Sequence, residues 1–185
     1  PLTGLNPAGG KMFFRYRQGH CKGMQNALKV IPQVHEEWKK LTGHDFPGII
    51  EEYRLDDAEY AIMTIGSMTG AGKDAVDIAR DQGKKVGLIK IKTFRPFPVQ
   101  ALAKALSKVK AVSVVDRSVS YGWNCGPLCQ EVWAVTPFID KKIPIVSHIG
   151  GLAGIDLTTD HMAQAIENAA QAAKGKVPEE TIWLL

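Results

Sequence analysis

Four short apolar runs begin near residues 60, 86, 111 and 143, and each is followed by a stretch whose apolar residues recur at helical spacing. That alternation constrains the chain more than any other feature. A strand that returns parallel to its predecessor needs a crossover of a dozen or more residues, usually a helix. Repeated units of this kind build a mostly parallel sheet with helices on both faces. The expected fold class is therefore α/β.

The strands read as Tyr60–Ile65, Val86–Ile91, Ala111–Val115 and Ile143–Ile149. Between the first two, Ala71, Ala75, Ile78 and Ala79 share one helical face, and Gly83 is placed to end that helix. Pro98 suits the first turn of a helix to about Lys108, with Leu102, Ala105, Leu106 and Val109 inward. Pro127 opens another through Val135, burying Leu128 and Val132. The last helix starts near Thr158, whose hydroxyl can cap free N–H groups, with Asp160 complementing the dipole. Met162, Ile166, Ala169 and Ala173 form its stripe.

The N-terminal third breaks the pattern. Cys21 to Leu41 reads as one long helix with Ala27, Leu28, Ile31, Val34 and Trp38 apolar, and Pro32 inside it predicts a kink or two pieces. The opening, with Asn6-Pro7-Ala8-Gly9-Gly10, has the composition of a linker within a longer polypeptide. The expected division is a linker and helical connector arm over 1–57, an α/β domain over 58–175 and a tail over 176–185. The apolar tail end Ile182-Trp183-Leu184-Leu185 is expected to meet another domain or subunit.

Composition narrows the function classes. The net charge of +4 comes with lysines in isolated pairs (Lys39-Lys40, Lys84-Lys85, Lys141-Lys142), which reads as solvated surface and not as a nucleic-acid stripe. No apolar run approaches the roughly 20 residues of a membrane span. Three cysteines cannot all pair, which points to a reducing, cytoplasmic setting.

Several motifs invite chemistry. Gly66-Ser67-Met68-Thr69-Gly70-Ala71-Gly72-Lys73-Asp74 lies between strand and helix, where backbone N–H groups can hold an anion. It fails the phosphate-loop count: Ser67 stands at the first glycine position and Asp74 replaces the magnesium-binding hydroxyl residue. Cys125 and Cys129 share a helix side, yet no second Cys/His pair completes a zinc or iron–sulfur site, so packing is their expected role. His148 ends a strand at the carboxyl edge of the sheet, where ligands bind in open α/β folds, and a structural role is expected for it. Asp116, Arg117, Ser118, Ser120, Tyr121 and Asn124 cluster after the third strand, either orienting a partner or an anion through an Asp–Arg arrangement, or bonding only to local backbone. Arg95, in the break Phe94-Arg95-Pro96-Phe97-Pro98, joins them as an interface or anion-site candidate.

At this point the sequence resembles a known family. Ile50-Glu51-Glu52-Tyr53-Arg54-Leu55-Asp56-Asp57-Ala58, Gly66-Ser67, Lys84-Lys85-Val86-Gly87-Leu88-Ile89-Lys90, Phe94-Arg95-Pro96-Phe97-Pro98 and Asp116-Arg117-Ser118-Val119-Ser120-Tyr121-Gly122 with Gly126-Pro127-Leu128 occur in the family's order. They resemble the α subunit of pyruvate:ferredoxin oxidoreductase and its relatives for other 2-oxoacids. The resemblance covers roughly residues 20–170 and implies a transketolase C-terminal-like domain.

It implies a complex that oxidatively decarboxylates a 2-oxoacid to acyl-CoA in anaerobic metabolism. Thiamine diphosphate, magnesium and iron–sulfur clusters would serve the whole complex, with ferredoxin and coenzyme A as partners beside the other domains and subunits. No catalytic, cofactor or metal ligand is carried onto this chain, whose implied role is structural and docking. Trp123 and Cys125 depart from the family pattern, so pyruvate is the default substrate with branched and aromatic 2-oxoacids open. The alternative reading is a free-standing nucleotide- or anion-binding α/β module.

Overall fold

The computed structural model describes residues 10–46 and 48–185; the linker-like opening at Asn6–Gly9 lies outside them. Among the described residues, five α-helices and six strands follow in chain order: α1 (Gly10–Thr42), β1 (Ile50–Tyr53), β2 (Tyr60–Ile65), α2 (Thr69–Asp81), β3 (Val86–Ile91), α3 (Val99–Leu106), β4 (Val112–Asp116), α4 (Pro127–Val135), β5 (Ile145–Gly150), α5 (Thr159–Ala173) and β6 (Ile182–Leu184). The strands form one sheet in the order β1-β3-β2-β4-β5-β6. β2 through β6 run parallel and β1 alone pairs antiparallel, on β3. The α/β expectation holds.

Alternation along the strands divides the core in two. Met63, Ile89, Val112 and Val114 point to the layer of α3 and α4, where Leu102, Leu106, Leu128 and Val132 meet them. Ile62, Leu88 and Val115 point the other way, onto Val76 and Ala79 of α2 and Met162 and Ile166 of α5. Successive side chains of a strand face opposite ways, so strands buried on both faces must be nearly continuous in apolar residues. β2, β3 and β4 are. Each fully buried Leu, Ile or Met contributes about 1.5–3 kcal/mol relative to exposure.

Both ends of the sheet draw on segments outside the repeating units. Ile50 to Tyr53, from the stretch read as connector, pair with Ile91 to Leu88 as an edge strand. Ile182 to Leu184, from the tail, pair with His148 to Gly150, and Leu184 is buried. The tail thus adds an edge strand to its own sheet, while Trp183 and Leu185 stay exposed.

The arm starts earlier than its periodicity suggests and is not divided at Pro32: α1 is continuous over 33 residues. Proline removes one N–H bond, and the carbonyl left free is that of Leu28, on a half-exposed stretch where water can reach it. α1 buries none of its residues against the domain. α5 is capped as expected: the Thr158 hydroxyl accepts from the His161 N–H, and the Thr158 N–H donates to His161 Nδ1 at 3.1 Å.

Candidate functional site

In an open parallel sheet, the crevice forms beyond the carboxyl ends of two neighbouring strands whose connections leave in opposite directions. Here those strands are β2, which continues outward to β3, and β4, which continues toward β5. A crevice of about 210 Å³ opens there, lined by Ser67, Met68, Ala71, Arg117, Asp156 and Leu157. Gly66 takes a left-handed φ of 74° to turn β2 sharply into a single 3-10 turn, Gly66–Met68. The Thr69 hydroxyl donates to the Gly66 carbonyl at 2.9 Å and lies 3.0 Å from the Thr64 hydroxyl, which fixes the start of α2 beside the crevice.

Arg117 reaches this crevice from the end of β4. Its guanidinium donates to the Gly151 carbonyl at 3.2 and 3.3 Å. φ at Gly151 is +68°, which favours glycine, and a Cβ there would sit 2.8 Å from Arg117 Nε and displace the guanidinium. The arrangement presents one cation, Arg117, near one carboxylate, Asp156. It can orient a polar group of a ligand or neighbouring chain, but it contains no nucleophile paired with a base.

Asp116, one residue before, goes elsewhere. Its carboxylate accepts the N–H of Leu128 at 2.9 Å and of Cys129 at 3.0 Å, at the open amino end of α4. Those two donors have no partner within the helix, so Asp116 does for α4 what a capping residue does, from a neighbouring strand. Gly126 makes this approach possible, since a Cβ there would sit 2.0–2.2 Å from atoms of the Asp116 side chain. Burial raises the Asp116 carboxyl above its ordinary range, while the two N–H bonds oppose that shift. Of the two readings the sequence left open, an Asp–Arg arrangement and bonding to backbone, Asp116 and Arg117 both show backbone bonds, and on opposite sides, as adjacent residues at a strand end do.

The remaining candidates are distributed around the same loop. Ser120 and Cys125 form an isolated bridge that closes a tight hairpin. The Ser120 hydroxyl donates to Gln130 Oε1 at 2.9 Å. Asn124 adopts a left-handed φ of 46°, and its carbonyl accepts from the Thr181 hydroxyl. Ser118 is exposed, and Tyr121 stands free at the hairpin tip with 92% exposure. Arg95 pairs with Glu131 of α4, donates to the Phe94 carbonyl and lies 4.5 Å from the Phe94 ring centroid. The structure thus brings Arg117 to the crevice, binds Asp116 and Ser120 to α4, and leaves Ser118 and Tyr121 to solvent.

Other motifs resolve into structure. Lys73 of the glycine-rich turn is paired with Glu51 on β1 and sits 5.0 Å from the Tyr53 ring centroid, so its charge serves the sheet edge and not a phosphate. The nucleotide-binding alternative loses its cation. Cys125 and Cys129 are fully buried, and burial pushes the Cys129 thiol up to about 12. His148 is also fully buried, with Nε2 3.0 Å from Asn168 Nδ2, and burial lowers its imidazole to about 4. It is neutral at physiological pH. Among the described residues, no three His, Cys, Asp or Glu side chains converge as metal ligands. Ser67 and Met68 belong to the glycine-rich turn singled out in the sequence, whereas Asp156 was not read as a site residue; only the strand order, which places their loops together with Arg117, reveals the crevice.

Comparison with known proteins agrees with this architecture. Residues 58–162 match the family model of pyruvate:ferredoxin oxidoreductase core domain II. The α subunit of NADH-dependent phenylglyoxylate dehydrogenase from Aromatoleum evansii is 58% identical over 100% of the chain, which covers 45% of that protein. Pyruvate synthase subunit PorA of Methanosarcina barkeri is 35% identical over 92% of the chain and 42% of its own length. Ketoisovalerate oxidoreductase subunit VorA of Pyrococcus abyssi is 32% identical over 92% of the chain and 43% of its own. The chain therefore spans a little under half the length of these relatives. With more than half of its residues matched in order across the sheet, crevice and loop just described, the chain belongs to the pyruvate:ferredoxin oxidoreductase core domain II family.

Proposed function

We propose that this chain is the structural and docking half of the α subunit of a thiamine-diphosphate-dependent 2-oxoacid oxidoreductase, and that the complex oxidises an arylglyoxylate in preference to pyruvate. The observation that carries the substrate class is the identity of 58% to a phenylglyoxylate dehydrogenase subunit, against 35% and 32% for pyruvate and ketoisovalerate relatives. The pyruvate default gives way to this. The reaction is oxidative decarboxylation of the 2-oxoacid to acyl-CoA and carbon dioxide, with the electrons leaving to ferredoxin or to NAD.

Among the described residues no three His, Cys, Asp or Glu side chains converge as metal ligands, and Lys73 is committed to Glu51. Thiamine diphosphate, magnesium and iron–sulfur clusters belong to the complex in this reading, along with coenzyme A. Arg95, Asp116, Arg117, Ser118, Ser120, Tyr121 and Asn124 then act as an interface and not as a reaction centre, with Arg95, Arg117, Ser118, Tyr121 and Asn124 exposed and Asp116 and Ser120 holding the loop to α4. The docking domain is the α/β unit of residues 58–175 completed by its edge strands β1 and β6, and in this reading the setting is cytoplasmic. Among the described residues, no helix is long and apolar enough to cross a membrane.

Purification of the native complex tests this. Thiamine diphosphate and iron should co-purify, and kcat/KM for phenylglyoxylate with coenzyme A should exceed that for pyruvate by about tenfold or more, the discrimination one well-shaped pocket supplies. A preference for pyruvate would overturn the substrate class. Absence of both cofactors would overturn the complex.

A further inference from the structure

The positive net charge of this protein lies in its arm. Residues 10–42 hold seven Lys and Arg against two Glu, while residues 43–185 hold sixteen against seventeen acidic side chains. From Gly10 to His35 there are five cations (Lys11, Arg15, Arg17, Lys22 and Lys29) and no carboxylate. The same helix carries an apolar stripe. Phe13, Tyr16, Met24, Ala27, Ile31 and Trp38 recur at three- and four-residue steps or their sums, which keeps them on one side of a helix with 3.6 residues per turn. Lys11, Arg15, Lys22, Lys29 and Lys40 fall on the opposite side. From Phe13 to Trp38 the stripe is about 37 Å long at 1.5 Å per residue.

Nothing in the described residues covers it. α1 has no buried residue: of the stripe, Phe13 and Trp38 are exposed and Tyr16, Met24, Ala27 and Ile31 are half-buried, and Met12, Val34 and Leu41 beside it are exposed. An apolar strip of this length is too large to be left in water without an occupant. Only its last turns approach the domain: Val34, His35 and Trp38 face Phe46 and Lys92 across a hollow of about 340 Å³, with the Trp38 and Phe46 ring centroids 6.4 Å apart. The stripe thus turns into the corner between arm and sheet.

We infer that α1 is a docking arm whose apolar stripe lies in a groove on another subunit of the oxidoreductase, a groove with an apolar floor and acidic rims. The inference rests on the complex proposed above. Charge selects the occupant. A second copy of α1 would bring two helices of like sign together, which is repulsive, whereas an acidic rim is attracted and its encounter accelerated. At its C-terminal end the stripe faces protein, Phe46 and Lys92, so its last turns lie in a corner and not on an open surface. An arm that leaves its own domain is also placed to reach a neighbouring chain.

The test uses the full complex with a photo-cross-linking phenylalanine analogue in place of Ile31 and, separately, of Lys22 on the opposite side. The expected result is an adduct to a different subunit from position 31 and none from position 22. Ile31→Glu, which puts a carboxylate onto the apolar floor, should lower recovery of that subunit about tenfold. Adducts only to the same polypeptide, only to a second copy, or to nothing while other subunits are present would overturn the inference. Arm-dependent binding to phosphatidylcholine–phosphatidylserine vesicles without any subunit adduct would overturn it too. If no other subunit accompanies the unmodified chain, the complex itself falls, which separates the two failures.

Discussion

Helices α1 and α5 are amphipathic to a similar degree, yet they end in opposite environments. α5 lays Met162, Ala165, Ile166 and Ala169 onto the sheet and buries all four. α1, twice as long, buries nothing within this chain. Periodicity says that a helix has a face to hide; it does not say whether the cover comes from the same chain. What differs is the surroundings in sequence. α5 sits between β5 and β6, two strands that pair, so its position over the sheet is imposed at both ends. Among the described residues, α1 joins the sheet at its C-terminal end, through the segment that leads to β1.

The most direct way to break this comparison is to make the same deletion in both stripes. Ile166→Ala removes a fully buried side chain from the α2–α5 core and is expected to cost about 2–5 kcal/mol of stability. Ile31→Ala in α1 should change the stability of this chain by less than about 1 kcal/mol, because it opens no cavity. Urea unfolding of both variants decides it. Comparable losses would show that α1 is packed onto the domain after all.

A second contrast lies between two buried ionisable groups. His148 is held near 4, well below its ordinary 6.5, because burial disfavours the imidazolium. The unfolded chain then binds more protons between pH 6.5 and 4, so stability attributable to His148 is complete above about 6.5 and is lost as pH falls through 4. The whole effect is about 3 kcal/mol. The difference in urea midpoint between His148→Gln and the unaltered protein should therefore shrink or reverse from pH 7 to pH 4.5. A difference independent of pH would mean that the imidazole is not desolvated.

How much of this was legible beforehand follows from where each signal resides. β2, β3 and β4 are apolar on both faces, so runs such as Val86-Gly87-Leu88-Ile89 announce themselves. β1 and β6 are only four and three residues long and stand at the edges, where one side is open; Ile-Glu-Glu-Tyr and Ile-Trp-Leu carry no comparable pattern. Their membership in the sheet depends on pairing with β3 and β5, which is information from elsewhere in the chain. The polar loop after β4 was legible as a cluster, but its division was not. Asp116 finds backbone N–H groups twelve and thirteen residues on, and a backbone donor has no letter in the sequence. The one trace is Gly126 before Pro127, a glycine at the position where any side chain would collide with that carboxylate. The crevice at Arg117 was hidden for the same reason, since Ser67 and Asp156 meet it only through the strand order.

Asp116 gives the smallest of these effects and the finest test, because its sign opposes that of His148. In Asp116→Asn one oxygen is replaced by an amide NH₂, so one of the two α4 donors faces a donor and is left unsatisfied. The cost should be about 1–3 kcal/mol, the range for one buried polar group without a partner. The pH dependence then identifies the cause. Burial raises the folded carboxyl above its unfolded value of 3.8, so the folded state binds the extra proton and stability from this group grows as pH falls toward 3.8. The gap between the unaltered protein and Asp116→Asn should widen on acidification, while the gap for His148→Gln narrows. If the Asp116 gap narrowed instead, the helix N–H bonds would outweigh burial at this carboxyl, and α4 would be held by a charge and not merely by an acceptor.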